Sequence, residues 1–199
     1  MNDPEYETAK KAIEDPKLLS KLLDGILSKE DEIRYPSFKA LLIISEENPE
    51  LLYPKWDFFA GLIGSYNSYT KLIGLRLIAN LTRIDTENKF ERIFDKYYKI
   101  LDQDKTMTAG HIAGNSGKIA KAKPELQSKI TSRLLNIDKT HQGRQKELIK
   151  SYAIEAFDEY YGESKDKRKI NKFIKQQLES ESPKTRKKAK EFIEKWGIK

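Results

Sequence analysis

The apolar residues of this chain recur with the spacing of amphipathic helices. Between Leu148 and Tyr161 they fall in adjacent pairs that advance four residues at a time, which is typical of one buried helix face and not of an alternating strand. Similar stripes run through residues 90–101 and 170–178. The pattern predicts an all-α protein. We expect eleven helices, at residues 4–15, 16–28, 30–47, 49–64, 67–83, 87–102, 105–122, 124–137, 142–161, 165–179 and 183–196.

The helical pattern repeats along the chain. Its signature is a basic or polar residue, a small residue three positions later and an aliphatic residue four positions after that. Five copies start 37, 37, 36 and 42 residues apart, a period typical of stacked helix pairs. The clear copies are Arg34 with Ser37 and Leu41, Lys71 with Gly74 and Ile78, and Arg186 with Ala189 and Ile193; weaker copies begin at Thr108 and Arg144, with His111 and Glu147 at the small position.

A second marker agrees with this period. Proline followed by a charged residue and leucine opens three of the predicted helices, at Pro16, Pro49 and Pro124. Proline in a first helical turn loses no hydrogen bond, so each marks a helix start. Pro16 and Pro124 are 108 residues apart, which is three periods of 36.

The period, the helix pairs, the aspartates before several helices (Asp31, Asp104 and Asp138) and the positions of Arg34 and Arg186 resemble the HEAT-repeat family, over essentially the whole chain. The resemblance implies a right-handed α-α superhelix, or solenoid, of about five helix pairs in a single domain, 1–199. It also implies a curved scaffold that binds protein or nucleic acid along the concave face formed by the second helix of each pair. One branch of the family, the HEAT-like alkylpurine DNA glycosylases, is enzymatic. The expected repeats are 4–28, 30–64, 67–102, 105–137 and 142–179, with a C-terminal capping helix at 183–196.

Composition narrows the chemistry available to the chain. The sequence has 199 residues, no cysteine and two histidines, which excludes disulfides, thiolate metal sites and a cysteine nucleophile. No apolar run approaches the roughly 18 residues of a membrane span. We expect a cytoplasmic monomer with no cofactor, no metal and no membrane partner.

The net charge of +7 is concentrated at the C-terminal end. Residues 165–199 carry 13 basic and 5 acidic groups, whereas residues 1–117 carry a balance of −3. Clustered cations bind phosphate backbones, but a terminal repeat also needs a polar outer face for solubility, and both interpretations remain open. In the last helix we expect Thr185, Ala189, Phe192, Ile193 and Trp196 to be buried, and the lysines and Arg186 to face outward. The candidate binding residues are Lys167, Arg168, Lys169, Lys172, Lys184, Arg186, Lys187 and Lys188.

The second helices of the pairs offer another charged surface. Their cations form a possible ladder, which acidic neighbours such as Asp24, Asp57, Glu91 and Asp95 dilute. A mixed ladder favours a protein partner over bare nucleic acid. The ladder residues are Lys21, Lys55, Arg92, Lys96, Lys129, Arg133 and Lys172.

Residues 109–120, AGHIAGNSGKIA, lack the spacing of a phosphate-binding Walker A loop, so we interpret Gly110, Gly114 and Gly117 as sites where a neighbouring helix approaches closely. A polar strip on the same helix is either a small binding site or a solvated face. A metal site through His111 and His141 would need two repeats to converge, and no spacing requires that. The strip consists of His111, Asn115 and Lys118, together with Asp104 and Thr108.

No carboxylate pair or nucleophile stands out as catalytic. We therefore predict a non-enzymatic scaffold that mediates protein–protein interaction. The first alternative is a nucleic-acid-binding protein that uses the basic C-terminal helices. The second is an enzyme of the glycosylase type, for which the two tryptophans, Trp56 and Trp196, give little support.

Overall fold

The computed structural model describes residues 3–103 and 105–198, and every regular element in these two ranges is helical. The prediction of an all-α protein is confirmed; Asp104 lies outside the described residues. Short 3₁₀ turns separate or extend several of the helices. The α-helices are α1 (Pro4–Glu14), α2 (Pro16–Gly25), α3 (Asp31–Glu47), α4 (Pro49–Leu52), α5 (Trp56–Leu62), α6 (Ser68–Leu81), α7 (Lys89–Lys99), α8 (Thr106–Ala122), α9 (Gln127–Leu135), α10 (Ile137–Thr140), α11 (Lys146–Tyr160), α12 (Lys167–Gln176) and α13 (Pro183–Trp196).

Each predicted segment contains helix, but some are shorter or interrupted. The segment expected at 49–64 is divided into α4 and α5 by a 3₁₀ turn at Tyr53–Lys55. Pro54 explains the interruption, because it has no backbone N–H to continue an α-helical ladder. The segment expected at 142–161 begins only at Lys146. Sequence patterns place helices more reliably than they place helix ends.

The chain forms two compact units, Met1–Glu91 and Arg92–Lys199. In the first unit, α3 packs against α1, α2 and α6, and α6 packs against α5. In the second unit, α11 packs against α8 and α13, and α9 contacts α8, α11 and α12. Within each unit, therefore, the first helix of one predicted pair contacts the first helix of the next.

The clear copies of the repeat signature share one kind of turn. A serine two positions before the helix N-cap residue accepts a hydrogen bond from that residue's backbone N–H. The turn thereby satisfies a polar group just outside the helix. The bonds are Glu30 N to Ser28 Oγ (3.1 Å) before α3, Asn67 N to Ser65 Oγ (3.1 Å) before α6 and Ser182 N to Ser180 Oγ (3.3 Å) before α13.

The basic residue of the signature stands six positions after this serine. Arg34 Nη1 donates to Ser28 O at 3.2 Å, and Arg186 Nη1 donates to Ser180 O at 2.5 Å. Each arginine thus ties the first turn of its helix to the preceding loop. A local hydrogen bond from the arginine therefore explains the basic position of the signature in these two copies.

The small residue of the signature lies where two helices approach closely. A Cβ placed on Gly74 of α6 would lie 2.7 Å from the carbonyl oxygen of Phe59 in α5. Ser37 of α3 packs so closely on Gly25 of α2 that a Cβ on that glycine would overlap its hydroxyl. A larger residue at either position would force the helices apart.

Candidate cationic interface

Helix α12 carries five cations and no acidic residue. Lys167, Arg168, Lys169, Lys172 and Lys175 are all exposed. The opposite face of the helix is anchored by three apolar side chains, so the five cations and the uncharged Gln176 lie on its outer side. The buried anchors are Ile170, Phe173 and Ile174.

Three of the five α12 cations lie in a row, and the other two contact residues just before the helix. Lys169 Nζ lies 2.7 Å from Asp166 Oδ1, and Lys167 Nζ donates to Gly162 O at 2.7 Å. Arg168, Lys172 and Lys175 follow one another at spacings of four and three residues, so they form a row along one side of the helix. We call these three residues the α12 row.

Helix α9 lies beside α12 and adds uncharged polar side chains. Ser128 and Ser132 are exposed, and with Asn136 they line a groove of about 280 Å³ that Lys169 also borders. Asp166 lies in the same groove. Hydrogen bonds from Lys169 and Ser128 lower the pKa of Asp166, so its carboxylate stays ionised and engaged with these two donors.

On helices α7 and α9, acidic residues pair with several of the cations. Asp95 of α7 lies 3.4 Å from Arg133 Nη2 and 3.7 Å from Lys129 Nζ, both on α9. Arg133 also lies 3.4 Å from Asp102. Part of the predicted ladder is thus neutralised in the second unit.

The cations of α13 are more engaged than predicted. Lys188 Nζ lies 3.1 Å from Glu191 and 3.3 Å from Glu155, while Lys187 lies 3.9 Å from Glu191. The hydrogen bonds to Glu191 and Glu155 outweigh the desolvation of Lys188 and raise its pKa. These acids offset much of the positive charge of this helix.

Two further α13 cations are half-buried and used in packing, which corrects the prediction that they face outward. Lys184 Nζ lies 3.6 Å from the centre of the Tyr152 ring, and Arg186 donates to the backbone oxygens of Ser180 and Glu181. The prediction is wrong here because long basic side chains pack their apolar stems while their charged ends find partners.

The apolar side of α13 anchors the helix to the second unit. Thr185, Ala189 and Phe192 are buried as predicted, whereas Ile193 and Trp196 are half-buried. Trp196 Nε1 donates to Asp158 Oδ1 at 2.7 Å, and its ring centre lies 4.8 Å from that of Tyr161. Both contacts hold the Trp196 side chain against the rest of the second unit.

The predicted polar strip of α8 is mostly in contact with other helices. Thr108 is buried, Asn115 forms a hydrogen bond with the buried Tyr97 of α7, and His111 is half-buried. Lys118 is exposed. The expectation of a uniformly solvated face is therefore wrong, because α7 also packs along this side.

The glycines of α8 do mark a close helix contact. A Cβ on Gly110 would lie 3.1 Å from the Tyr152 ring, and one on Gly117 would lie 2.6 Å from the Glu159 carboxyl carbon. Gly114 has more room, since its Cβ would lie 4.0 Å from Tyr152. The interpretation of these glycines is confirmed for Gly110 and Gly117.

His141 is buried, and its Nδ1 lies 2.7 Å from Leu101 O. Among the described residues, its Nε2 finds no hydrogen-bond partner. In the ranges 3–103 and 105–198, no three His, Cys, Asp or Glu residues are grouped as metal ligands. No helix within those ranges has the length and apolarity needed to cross a membrane.

Sequence analysis missed a group of exposed apolar side chains in the first unit. They surround the starts of α3 and α6, where the signature describes only the buried positions. The usable signal is tyrosine at polar positions of the helical pattern, as at Tyr35 and Tyr69. The group consists of Leu27, Ile33, Tyr35, Tyr66 and Tyr69.

Comparison with known proteins supports the fold and no more. No protein-family model matches the sequence, and no curated protein matches it. An engineered protein whose crystal structure was determined by the Northeast Structural Genomics Consortium is similar, with a TM-score of 0.52 and 15% sequence identity over 96% of this chain and 87% of that chain. At this identity the likeness concerns the arrangement of the backbone alone.

Proposed function

We propose that this protein is a non-enzymatic, HEAT-like scaffold that binds an acidic segment of a partner protein at the α12 row. The observation that carries the proposal is a helix with five exposed cations and no acidic residue. Its apolar face is buried, so the helix presents its charges from a fixed position. A preformed surface loses little conformational freedom on binding.

The extent of the positive surface supports a protein partner. The ten residues of α12 span about 15 Å. On one neighbour Asp95 pairs with Arg133 and Lys129, and on α13 Glu155 and Glu191 pair with Lys188. A short acidic helix or loop fits this confined field, whereas non-specific binding to duplex DNA relies on cations that contact many phosphates.

Nucleic acid is the second candidate partner. The groove beside α12 supplies Ser128, Ser132 and Asn136, and hydroxyl and amide groups commonly contact phosphate and sugar oxygens. Lys169 borders the same groove and adds a cation, so these side chains would suit a single strand. Among the described residues that border this groove none is aromatic, so base stacking would not contribute there.

Fluorescence anisotropy can separate the two partners. The labelled probes are a polyglutamate peptide, a generic duplex DNA and a single-stranded RNA, each titrated from about 50 to 200 mM salt. The test variant carries Arg168→Glu, Lys172→Glu and Lys175→Glu. A control variant carries Lys11→Glu, Lys17→Glu and Lys21→Glu, which are exposed cations of the first unit and change the net charge equally.

We expect polyglutamate to bind more tightly than either nucleic acid, and the α12 variant to lose at least about tenfold in affinity, as for a few close charge pairs. The control variant should lose much less. Tighter binding of RNA or DNA, with a steep salt dependence removed by the α12 variant, would replace the protein partner with nucleic acid. Equal losses in the two variants, or no binding of polyglutamate, would overturn the proposal.

A further inference from the structure

The first unit has a second surface, of different chemistry. Among the described residues six large apolar side chains are exposed, and five of them belong to this unit. Single exposed apolar residues are ordinary, but a concentration of them marks an interaction site. The five are Leu27, Ile33, Tyr35, Tyr66 and Tyr69, and we call them the aromatic edge.

Contacts within the unit bring these residues together. The Arg34 guanidinium carbon lies 5.3 Å from the centre of the Tyr69 ring, so the first turns of α3 and α6 are neighbours. An Ile33 methyl group lies 3.7 Å from where a Cβ on Gly25 would stand. Gly25 ends α2, and Leu27 follows it by two residues. The end of α2 and the starts of α3 and α6 therefore form one edge.

Folding does not explain the exposed tyrosines. Tyr66 has a relative exposure of 101%, so its ring contributes nothing to the core. The N-cap of α6 is provided by the next residue, Asn67, whose side chain accepts from Tyr69 N and Thr70 N. Tyrosine is enriched at protein interfaces because its large ring binds at a low cost in conformational entropy.

The charge around this edge favours a cationic partner. Glu30, Asp31 and Glu32 are exposed at the start of α3, and Asp31 forms an ion pair with Arg34 beside the Tyr69 ring. Residues 1–91 carry 12 basic and 16 acidic groups, a balance of −4. Lys29, Arg34 and Lys39 stand beside these carboxylates, so the attraction for lysine or arginine comes from close ion pairs with Glu30 and Glu32 and not from the net charge of the edge.

The protein already shows how such a cation can bind there. Arg34 lies over Tyr69, and Lys39 Nζ lies 5.8 Å from the centre of the Tyr35 ring. Arginine is better suited than lysine to an exposed ring, because its planar guanidinium stacks and still donates to carboxylates. We propose that the aromatic edge binds an arginine-rich segment of a partner protein, with a guanidinium group on Tyr66 and ion pairs to Glu30 and Glu32.

The first test uses two labelled peptides, one of alternating arginine and proline and one of alternating lysine and proline. The arginine peptide should bind more tightly. Tyr66→Ala should weaken its binding by about 2- to 30-fold, the range expected for cation–π contacts. The melting temperature should not change, because the ring is fully exposed.

The second test uses a matched pair of charge reversals on α3. Glu32→Lys lies at the proposed site, and Glu47→Lys is an exposed position at the other end of the same helix, about 22 Å away. Both variants remove the same amount of negative charge. Glu32→Lys should therefore weaken binding of the arginine peptide more than Glu47→Lys does.

Three results would overturn this proposal. They are equal binding of the two peptides, equal loss in Glu32→Lys and Glu47→Lys, and binding unaffected by Tyr66→Ala. If single-stranded RNA bound instead and Tyr66→Ala reduced its affinity, the edge would be a base-stacking surface. The α12 variant should bind the arginine peptide at least as well as the unaltered protein, so failure of the α12 proposal leaves this result intact.

Discussion

Arg34 and Arg186 perform the same task at opposite ends of the chain. Each donates a hydrogen bond to the carbonyl of a serine six residues earlier, Ser28 or Ser180. The serine hydroxyl in turn accepts from the backbone of the N-cap residue. Spacing alone therefore identifies both residues, because their partners are local in sequence.

Glu147 also occupies a repeat position, but some of its contacts are with residues distant in sequence. It occupies the small position of a weak copy of the signature. Its side chain accepts hydrogen bonds from Ser180 and Lys150, and its backbone oxygen accepts from Thr185 Oγ1 at 2.5 Å. Lys150 is buried and also lies 3.0 Å from Asp138. Glu147 thereby joins α11 to the start of α13.

This arrangement predicts a dependence of stability on pH. Burial opposes ionisation of Glu147, but the hydrogen bonds from Lys150 and Ser180 outweigh it and lower its pKa. A lowered folded-state pKa stabilises the protein above the unfolded-state value of about 4.3, and this contribution disappears as pH falls through the folded-state pKa. Glu147→Gln should lower the free energy of unfolding at neutral pH by about 1 to 2 kcal/mol.

Urea unfolding at several pH values measures this effect. The stability gap between Glu147→Gln and the unaltered protein should narrow as the solution is acidified below about pH 4.3. Glu194→Gln, at an exposed position of α13, serves as the control and should leave the curve nearly unchanged. A gap that stays constant with pH would show that the carboxylate charge of Glu147 does not stabilise the fold.

At the scale of elements, α8 packs closely against α11 at a glycine of α8. A Cβ on Gly117 would lie 2.9 Å from the backbone oxygen of Ala156, which cannot move as a side chain can. We expect Gly117→Ala to destabilise the second unit by about 1 to 3 kcal/mol, the usual cost of overpacking.

Gly114 on the same helix provides the control. Its Cβ would meet Tyr152 at an ordinary distance of 4.0 Å, so Gly114→Ala should be neutral or stabilise the helix by up to about 1 kcal/mol. Thermal unfolding of the two variants distinguishes these effects. Similar melting temperatures for both would contradict the close contact between α8 and α11 at Gly117.

At the scale of elements, some features follow from the sequence pattern and others do not. Periodicity predicts the helices and the glycine contact, because both follow from local spacing. It does not predict that Lys184 packs on Tyr152 or that Lys188 pairs with Glu155, since those partners come from another helix. The α13 cations differ from the α12 row through the local acid Glu191 and through the packing of α11 against α13, and only the first of these is visible in the sequence.

At the scale of the whole molecule, charge divides as the two units do. Residues 1–91 carry a net charge of −4, whereas residues 92–199 carry 26 basic and 15 acidic groups, a balance of +11. The proposed surfaces follow this division: the aromatic edge belongs to the acidic unit and the α12 row to the basic one. The two proposals together give one chain an acidic partner at the α12 row and an arginine-rich partner at the aromatic edge.

The most direct test of the α12 proposal is a lysine-reactivity footprint. The protein is acetylated briefly with and without a polyglutamate peptide, and modification at each lysine is measured by mass spectrometry. We expect the peptide to protect Lys172 and Lys175 while the reactivity of Lys187 on α13 and Lys17 in the first unit stays unchanged. Protection of Lys187 or Lys17 in place of the α12 lysines would contradict the account.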